Sequence, residues 1–251
     1  MLGIDRKQKI IAYLEEHEVA SIHDLSELTG ASESTLRRDL SDLEKQYEIT
    51  RVHGGASLAR PRREEPTLAE KIDRSLPEKK AVAQAAASQV KEGETIFLDA
   101  GSTTLEMIPF LAGNSVTVVT NGVTHVSQLI QAGIPTYVTG GQAKATTAAL
   151  VGTKAVDTLS GYYFDRCFIG ANSVDMTAGY TTPDPEECAV KQTALTQAAK
   201  AYVIADASKI GTVSFAKIAP LAAADFITTN DLDHETFNEL IKQTNVKVAE
   251  G

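Results

Sequence analysis

Ser21 to Leu43 reads SIHDLSELTGASESTLRRDLSDL, two short amphipathic stretches joined at a glycine. Ser21 stands three residues before Asp24, the spacing at which a hydroxyl and an acid cap each other's backbone at a helix start. Ile22, Leu25 and Leu28 then recur at helical intervals. Thr29-Gly30-Ala31 supplies a tight turn, because glycine takes positive φ without the steric cost other residues bear. Ser32 caps a further helix whose inner face is Leu36, Leu40 and Leu43. Upstream, Ile10, Ile11 and Leu14 mark the inner side of a helix from about Asp5 to Glu16, and His17 to Ala20 breaks that pattern. Three helices with this turn between the second and third predict a helix-turn-helix. Downstream, Ile49-Thr50-Arg51-Val52-His53-Gly54-Gly55-Ala56 alternates and then turns on two glycines, which adds a β-wing.

The outer face of the third helix carries the chemistry. Ser34 and Arg38 lie four apart, opposite the leucine stripe, with Lys45 on the same side and Thr35 and Arg37 flanking. Such side chains point at a DNA groove. The blander alternative pairs Arg37 with Asp39 or another nearby acid as a solvated surface group. The net charge of -9 weighs against a nucleic-acid partner only until its distribution is considered. Arg37, Arg38, Lys45, Arg51, Arg60, Arg62 and Arg63 make a basic strip, and most of the acidic excess lies beyond it.

Arg60 to Pro66 is charged and holds two prolines, which marks a linker. The expected organisation is a winged helix-turn-helix over residues 1–60, a linker over 61–77 and an α/β domain over 78–251. In that last part helical patterns alternate with β-rich runs at Thr95–Leu98, Val116–Thr120, Thr136–Thr139, Cys167–Ile169, Tyr202–Ala205, Phe226–Thr228 and Val246–Val248. Alternation of this kind predicts a mainly parallel sheet wrapped by helices. With 43% hydrophobic and 23% charged residues the chain has the balance of a water-soluble protein, and no stretch reaches the ~18 consecutive apolar residues of a membrane span. Met1 to Lys7 runs straight into charge, unlike a secretory signal, so a cytoplasmic location is expected. Cys167 and Cys188 are too few for a disulfide framework or a zinc cluster and read as reduced thiols, one of them buried. His125 and His234 lack metal-spaced partners, so no metal site is expected.

Ligands of open α/β sheets settle at strand carboxyl ends. After the first run comes Asp99-Ala100-Gly101-Ser102-Thr103-Thr104, where glycine, hydroxyls and helix-starting N–H groups suit a phosphate, although an ordinary capped turn reads the same way. Asn121, Gly140 and Gly141, Asn172 and Asp175, and Lys209 follow later runs. Small residues allow close approach, Asn and Asp suit sugar hydroxyls, and lysine offers a point charge. Asp175 fits a turn as well as a ligand. Glu186 and Lys191 sit on a helix opened by Pro183 and Pro185, either complementing the helix dipole or reaching into the pocket.

Ser32-Glu33-Ser34-Thr35-Leu36-Arg37-Arg38-Asp39-Leu40 together with Arg51-Val52-His53-Gly54-Gly55-Ala56 resembles the DNA-binding signature of the DeoR family of bacterial sugar-catabolism regulators. The resemblance spans nearly the whole chain. It implies that Ser32, Ser34, Thr35, Arg37, Arg38, Arg51, His53 and Gly54 face DNA, and that the second domain has a fold similar to ribose-5-phosphate isomerase, with Ser102–Thr104 and Lys209 around a sugar phosphate. Thr181 to Glu187 and Ala205 to Gly211 look most like regulators of fructose operons, which implies fructose 1-phosphate. The expected function is that of a repressor acting as a dimer or tetramer, released from double-stranded operator DNA by this effector, with no other cofactor. A phosphosugar isomerase with an attached DNA-binding module and an activator with the same domains are the alternatives. An isomerase needs a carboxylate base, and the helix offers Val190 near the position where it is sought. Two departures from the family pattern stand out. Tyr47 replaces a usual glycine just past the recognition helix, and Pro109 should kink or shorten the helix after the phosphate loop.

Overall fold

The capping pair at Ser21 and Asp24 forms as its spacing requires: the Asp24 N–H donates to Ser21 Oγ at 3.1 Å, and the Ser21 N–H donates to Asp24 Oδ2 at 2.8 Å. The computed structural model describes residues 3–17, 19–45, 49–52, 54–58 and 65–249. They make two compact units, residues 1–64 with 210–212, and residues 65–209 with 213–251.

The first unit runs α1 (Gly3–His17), β1 (Val19–Ser21), α2 (Ile22–Thr29), α3 (Glu33–Lys45), β2 (Ile49–Val52) and β3 (Gly55–Leu58). Gly30 ends α2 at φ 67°, and its N–H bonds the Ser26 carbonyl. Ile10, Leu14, Leu25, Leu36, Leu40, Leu43 and Ile49 close into one core, so the helical stripes read from sequence share a single interior. Strand β1 lies in the stretch where the helical pattern breaks; it pairs antiparallel with β3, giving a sheet of order β1-β3-β2. A Cβ on Gly55 would sit 2.0 Å from the Ala20 carbonyl oxygen, so only glycine permits this pairing. Arg6 to Asp39 at 2.5 Å and Lys7 to Asp42 at 2.8 Å fasten α1 onto α3. The readings of Tyr47, His53, Arg60, Arg62 and Arg63 fall outside the described residues.

The second unit starts at Glu65, and the span 61–77 taken as linker contains helix α4 (Leu68–Asp73). Then come α5 (Leu76–Ala87), β4 (Thr95–Leu98), α6 (Ser102–Leu105), α7 (Ile108–Leu111), β5 (Thr117–Thr120), α8 (Val123–Gln131) and β6 (Thr136–Val138). Pro109 falls in the first turn of α7, where its missing N–H removes no helical bond, so the expected helix is divided into α6 and α7. A hairpin of β7 (Gln142–Ala143) and β8 (Leu150–Val151) leads to α9 (Thr153–Ser160) and β9 (Phe164–Gly170). The rest is β10 (Ser173–Asp175), β11 (Gly179–Thr182), α10 (Pro185–Thr196), β12 (Ala198–Ile204), β13 (Ala216–Ala219), β14 (Asp225–Thr229), α11 (His234–Leu240) and β15 (Val246–Ala249).

All seven β-rich runs fall in one sheet of order β15-β14-β12-β9-β4-β5-β6, every neighbouring pair parallel. Alternate side chains serve opposite faces. Ile96, Leu98, Phe168, Tyr202, Ile204 and Ile227 join a core with Val82, Ala83 and Ala86 of α5 and Leu111 of α7. Phe97, Cys167, Ile169, Val203 and Phe226 are buried too and face the other way, toward the side on which α10 packs against β9 and β12. Burial on both faces of the inner strands explains why they are apolar along their length rather than alternating, whereas the edge strand β6 leaves Tyr137 and Val138 exposed. β10, β11 and β13 form a separate antiparallel sheet.

Candidate functional site

In a sheet whose strands all run one way, every carboxyl end lies along one rim. Following the strand order, that rim carries Lys209 after β12, Gly170 and Asn172 after β9, Asp99 to Thr104 after β4, Asn121 after β5 and Gly140 and Gly141 after β6. The loops that recur along the sequence are therefore neighbours in space.

At the middle of the rim Asp99 is buried. Its Oδ2 accepts from the Lys191 ammonium and, at 3.1 Å, from the Gly170 N–H, while Lys191 also donates to the Gly170 carbonyl at 3.1 Å. Burial alone would lower the Lys191 pKa, but the charges of Asp99 and Glu187 more than offset it and hold the pKa up. Asn121 spans strands: its Oδ1 accepts from the Ala100 N–H at 3.0 Å and its Nδ2 donates to the Leu150 carbonyl at 3.2 Å. Thr104 donates its hydroxyl toward the carbonyls of Asp99, at 2.5 Å, and Gly101, at 2.7 Å. That leaves the oxygen to accept from Nε2–H of His125 at 3.1 Å, so His125 is neutral with the proton on Nε2. Burial pushes the His125 pKa down to about 3. Thr104 and His125 thus shape the loop rather than meet a ligand; Ser102 and Thr103 remain at the start of α6, where N–H groups precede the first helical bond from Leu105 to Gly101.

Lys79, on the helix that packs against α6, is a further candidate that sequence reading missed. It is buried on α5, and burial together with the charge of Lys209 pulls its pKa down to about 8. Helix α5 packs against α6, and the charge of Lys209 acts on Lys79 while Asp206 and Glu106 oppose it, so the two lysines suit an anion near the start of α6. The signal was present: Lys79 stands three, four and seven residues before Val82, Ala83 and Ala86, on the inner stripe of its helix.

Other residues fall differently from expectation. Glu186 is exposed, its N–H bonded to Asp184 Oδ1 at 2.7 Å, whereas Glu187 turns inward. The buried stripe Glu187, Val190, Lys191 and Ala194 fixes that phase, and it could have been read from the periodicity. Glu187 accepts from Lys144 at 2.8 Å and from Thr147 at 2.6 Å. Burial alone would raise the Glu187 pKa, but Lys191, Lys144 and Thr147 keep it below the ordinary carboxylate range, which makes it a weak base. Val190 is fully buried and offers no carboxylate. Asp175 takes the turn role, accepting from the N–H groups of Thr177 and Ala178 at 2.8 and 2.7 Å. Asn172 accepts from the Thr182 hydroxyl at 3.0 Å. Gly141 at φ 109° would place a Cβ 2.4 Å from the Val151 carbonyl oxygen, so its role is close packing of the rim. Cys167 and Cys188 are both free and both buried.

On the other unit, Ser32, Ser34, Arg37, Arg38, Arg51 and Gly54 are exposed and Thr35 is half-buried. The Ser32 hydroxyl lies 3.0 Å from Thr35 Oγ1 and 3.1 Å from Ser34 Oγ, so it ties the two polar side chains beside it. Arg37 pairs with Glu33 at 3.2 Å across one turn, while Asp39 is taken by Arg6. Arg38 has no ion pair among the described residues. The polar face of α3 thus stands clear of its own core.

Residues 6–62 match the DeoR-like helix-turn-helix domain, and residues 74–231 match the DeoR C terminal sensor domain. The chain belongs to the DeoR family. Relatives of this DeoR-family protein cover it from end to end: the uncharacterized HTH-type transcriptional regulator FruR of Bacillus subtilis (strain 168) is 46% identical over 99% of both chains. The HTH-type transcriptional regulator GlpR of Haloferax volcanii is 35% identical over 100% of this chain and 99% of its own. Among solved structures, ribose 5-phosphate isomerase A from Methanocaldococcus jannaschii is 22% identical, covering 53% of each chain with a TM-score of 0.40. The DeoR-family protein is a DNA-binding transcriptional regulator, with a helix-turn-helix unit followed by an α/β sensor unit. No helix among its described residues is long and apolar enough to cross a membrane.

Proposed function

We propose that this regulator is a cytoplasmic repressor of a sugar-utilisation operon, that it sits on double-stranded operator DNA as a dimer or tetramer, and that fructose 1-phosphate releases it. The reading is supported by Lys79, buried on α5 where that helix packs against α6, and by Lys209 after β12, whose charge is near enough to lower the Lys79 pKa. A phosphoryl group bound there would relieve the repulsion between two lysines and meet the N–H and hydroxyl donors of Ser102 and Thr103. The exposed Ser34 and Arg38 support entry of α3 into the major groove, with half-sites about one helical turn, ~34 Å, or a multiple apart. Fructose is supported by the resemblance of residues 181–187 and 205–211 to fructose-operon regulators and by the FruR relative. No other cofactor enters the reading.

A thermal-shift panel of sugar phosphates tests it, since a ligand at 100 times its dissociation constant adds about 2.7 kcal/mol to folding stability. Fructose 1-phosphate should raise the melting temperature most and weaken binding to a promoter fragment. Equal DNA binding with and without every sugar phosphate tried would end the proposal.

A further inference from the structure

Lys79 is also tied to the neighbouring helix α4. Its ammonium donates to the backbone carbonyl of Lys71, on the last turn of α4, and this is its hydrogen bond among the described residues. The Lys71 side chain holds Glu65 Oε1 at 3.0 Å, and Glu65 Oε2 receives Lys144 at 3.0 Å. Lys144 in turn binds Asp184 and Glu187, each at 2.8 Å. Glu65 is the first residue of the sensor unit, the place where the chain arrives from the DNA-binding unit, and its side chain is only 8% exposed. The start of α4 is held separately, by the Thr67 and Glu70 capping box and by the Leu68 N–H on the Thr146 carbonyl at 2.8 Å.

We infer that Lys79 couples the phosphoryl site to the arriving chain: a bound phosphoryl group draws its ammonium off the Lys71 carbonyl, which loosens the last turn of α4 and with it the Glu65 clamp on Lys71 and Lys144. This rests on the rim being a phosphoryl site. The coupling works because the same ammonium serves different acceptors in the two states, and only such a differential interaction lets a ligand shift an equilibrium. Glu65 is then freed or fixed according to whether the rim is occupied. Asp184 and Glu187 keep Lys144 in place in both states, so the change is confined to the α4 side of the clamp.

The test uses the full-length protein, a DNA fragment from its own promoter, and fructose 1-phosphate with inorganic phosphate as a second probe. In the wild type, ligand slows amide exchange at Ser102–Thr104 and speeds it over Leu68–Asp73. Glu65→Gln and Lys71→Met should bind ligand within about twofold of wild type by calorimetry. They should lose most of the ligand-driven release, from about tenfold or more in DNA affinity to under about threefold. Variants that release DNA as the wild type does, or α4 amides whose exchange stays flat or slows with ligand, overturn the coupling while leaving the sensing role intact. A wild type that neither binds the probes nor changes its DNA affinity removes the sensing role, and the coupling with it.

Discussion

Lys191 donates its ammonium to Asp99 beneath the strand-end loops, and the two side chains are 5% and 3% exposed. The pair joins α10 to the end of β4 and, through Gly170, to β9, so it sets the spacing of the loops around the rim. A pair this buried is costly to break on one side, because the survivor keeps its charge without a partner.

Lys191→Met should therefore destabilise the sensor unit by about 3–5 kcal/mol in urea titration. Adding Asp99→Asn to it should recover part of that loss. A double variant as unstable as the sum of its parts would show that the two residues act independently.

Lys79 gives the site a pH dependence whose sign is fixed. Its folded value of about 8 lies below its ordinary 10.5, so the folded state binds fewer protons between these values. The resulting destabilisation is complete below about pH 8 and fades as the pH rises toward 10.5. Binding of a phosphoryl dianion favours the charged ammonium, so affinity should fall as pH rises through 8, with proton uptake near pH 8.5 visible as a buffer-dependent heat. Lys79→Met should flatten both profiles; a variant with the wild-type pH dependence would remove Lys79 from the site.

Arg38→Ala should weaken operator binding by about 1–3 kcal/mol, as loss of one groove contact does. Ligand-induced thermal stabilisation should be unchanged. Undiminished DNA affinity would place Arg38 off the interface.

Gly55→Ala tests the wing. The new Cβ meets the Ala20 carbonyl oxygen, so β1 and β3 must part, at about 1–3 kcal/mol for an overpacked contact. DNA binding should drop and sugar-phosphate binding persist. Retained operator affinity would mean that the sheet tolerates the displacement.

The inner strands were legible because both of their faces are buried and they are rich in apolar residues, and the edge strands β15 and β6 because Val246, Val248, Tyr137 and Val138 still favour a strand. The three helices of the first unit were legible because each has one apolar stripe, and the α2 start and the turn after it are set by Ser21, Asp24 and Gly30. Strand β1 was not, since Val19–Ser21 is too short to show a period and owes its form to pairing with β3. At the rim, backbone-defined positions such as Asp99, Ser102 and Asn121 could be found by following strand ends. Choosing between Glu186 and Glu187 needed the helical phase, which the buried Val190 and Lys191 supply. Lys144 left no trace, because its partners Asp184, Glu187 and Glu65 lie 40, 43 and 79 residues away and local pattern carries no information over such distances.

His125 braces the Thr104 turn with a ring that takes up no proton until the medium is far more acid than a living cell tolerates. Histidines are the usual means by which proteins notice acidity, and here one is used in a setting that keeps it silent. The loop of Thr104 therefore keeps this brace through an acid stress, and a fall in pH cannot by itself reshape the rim there.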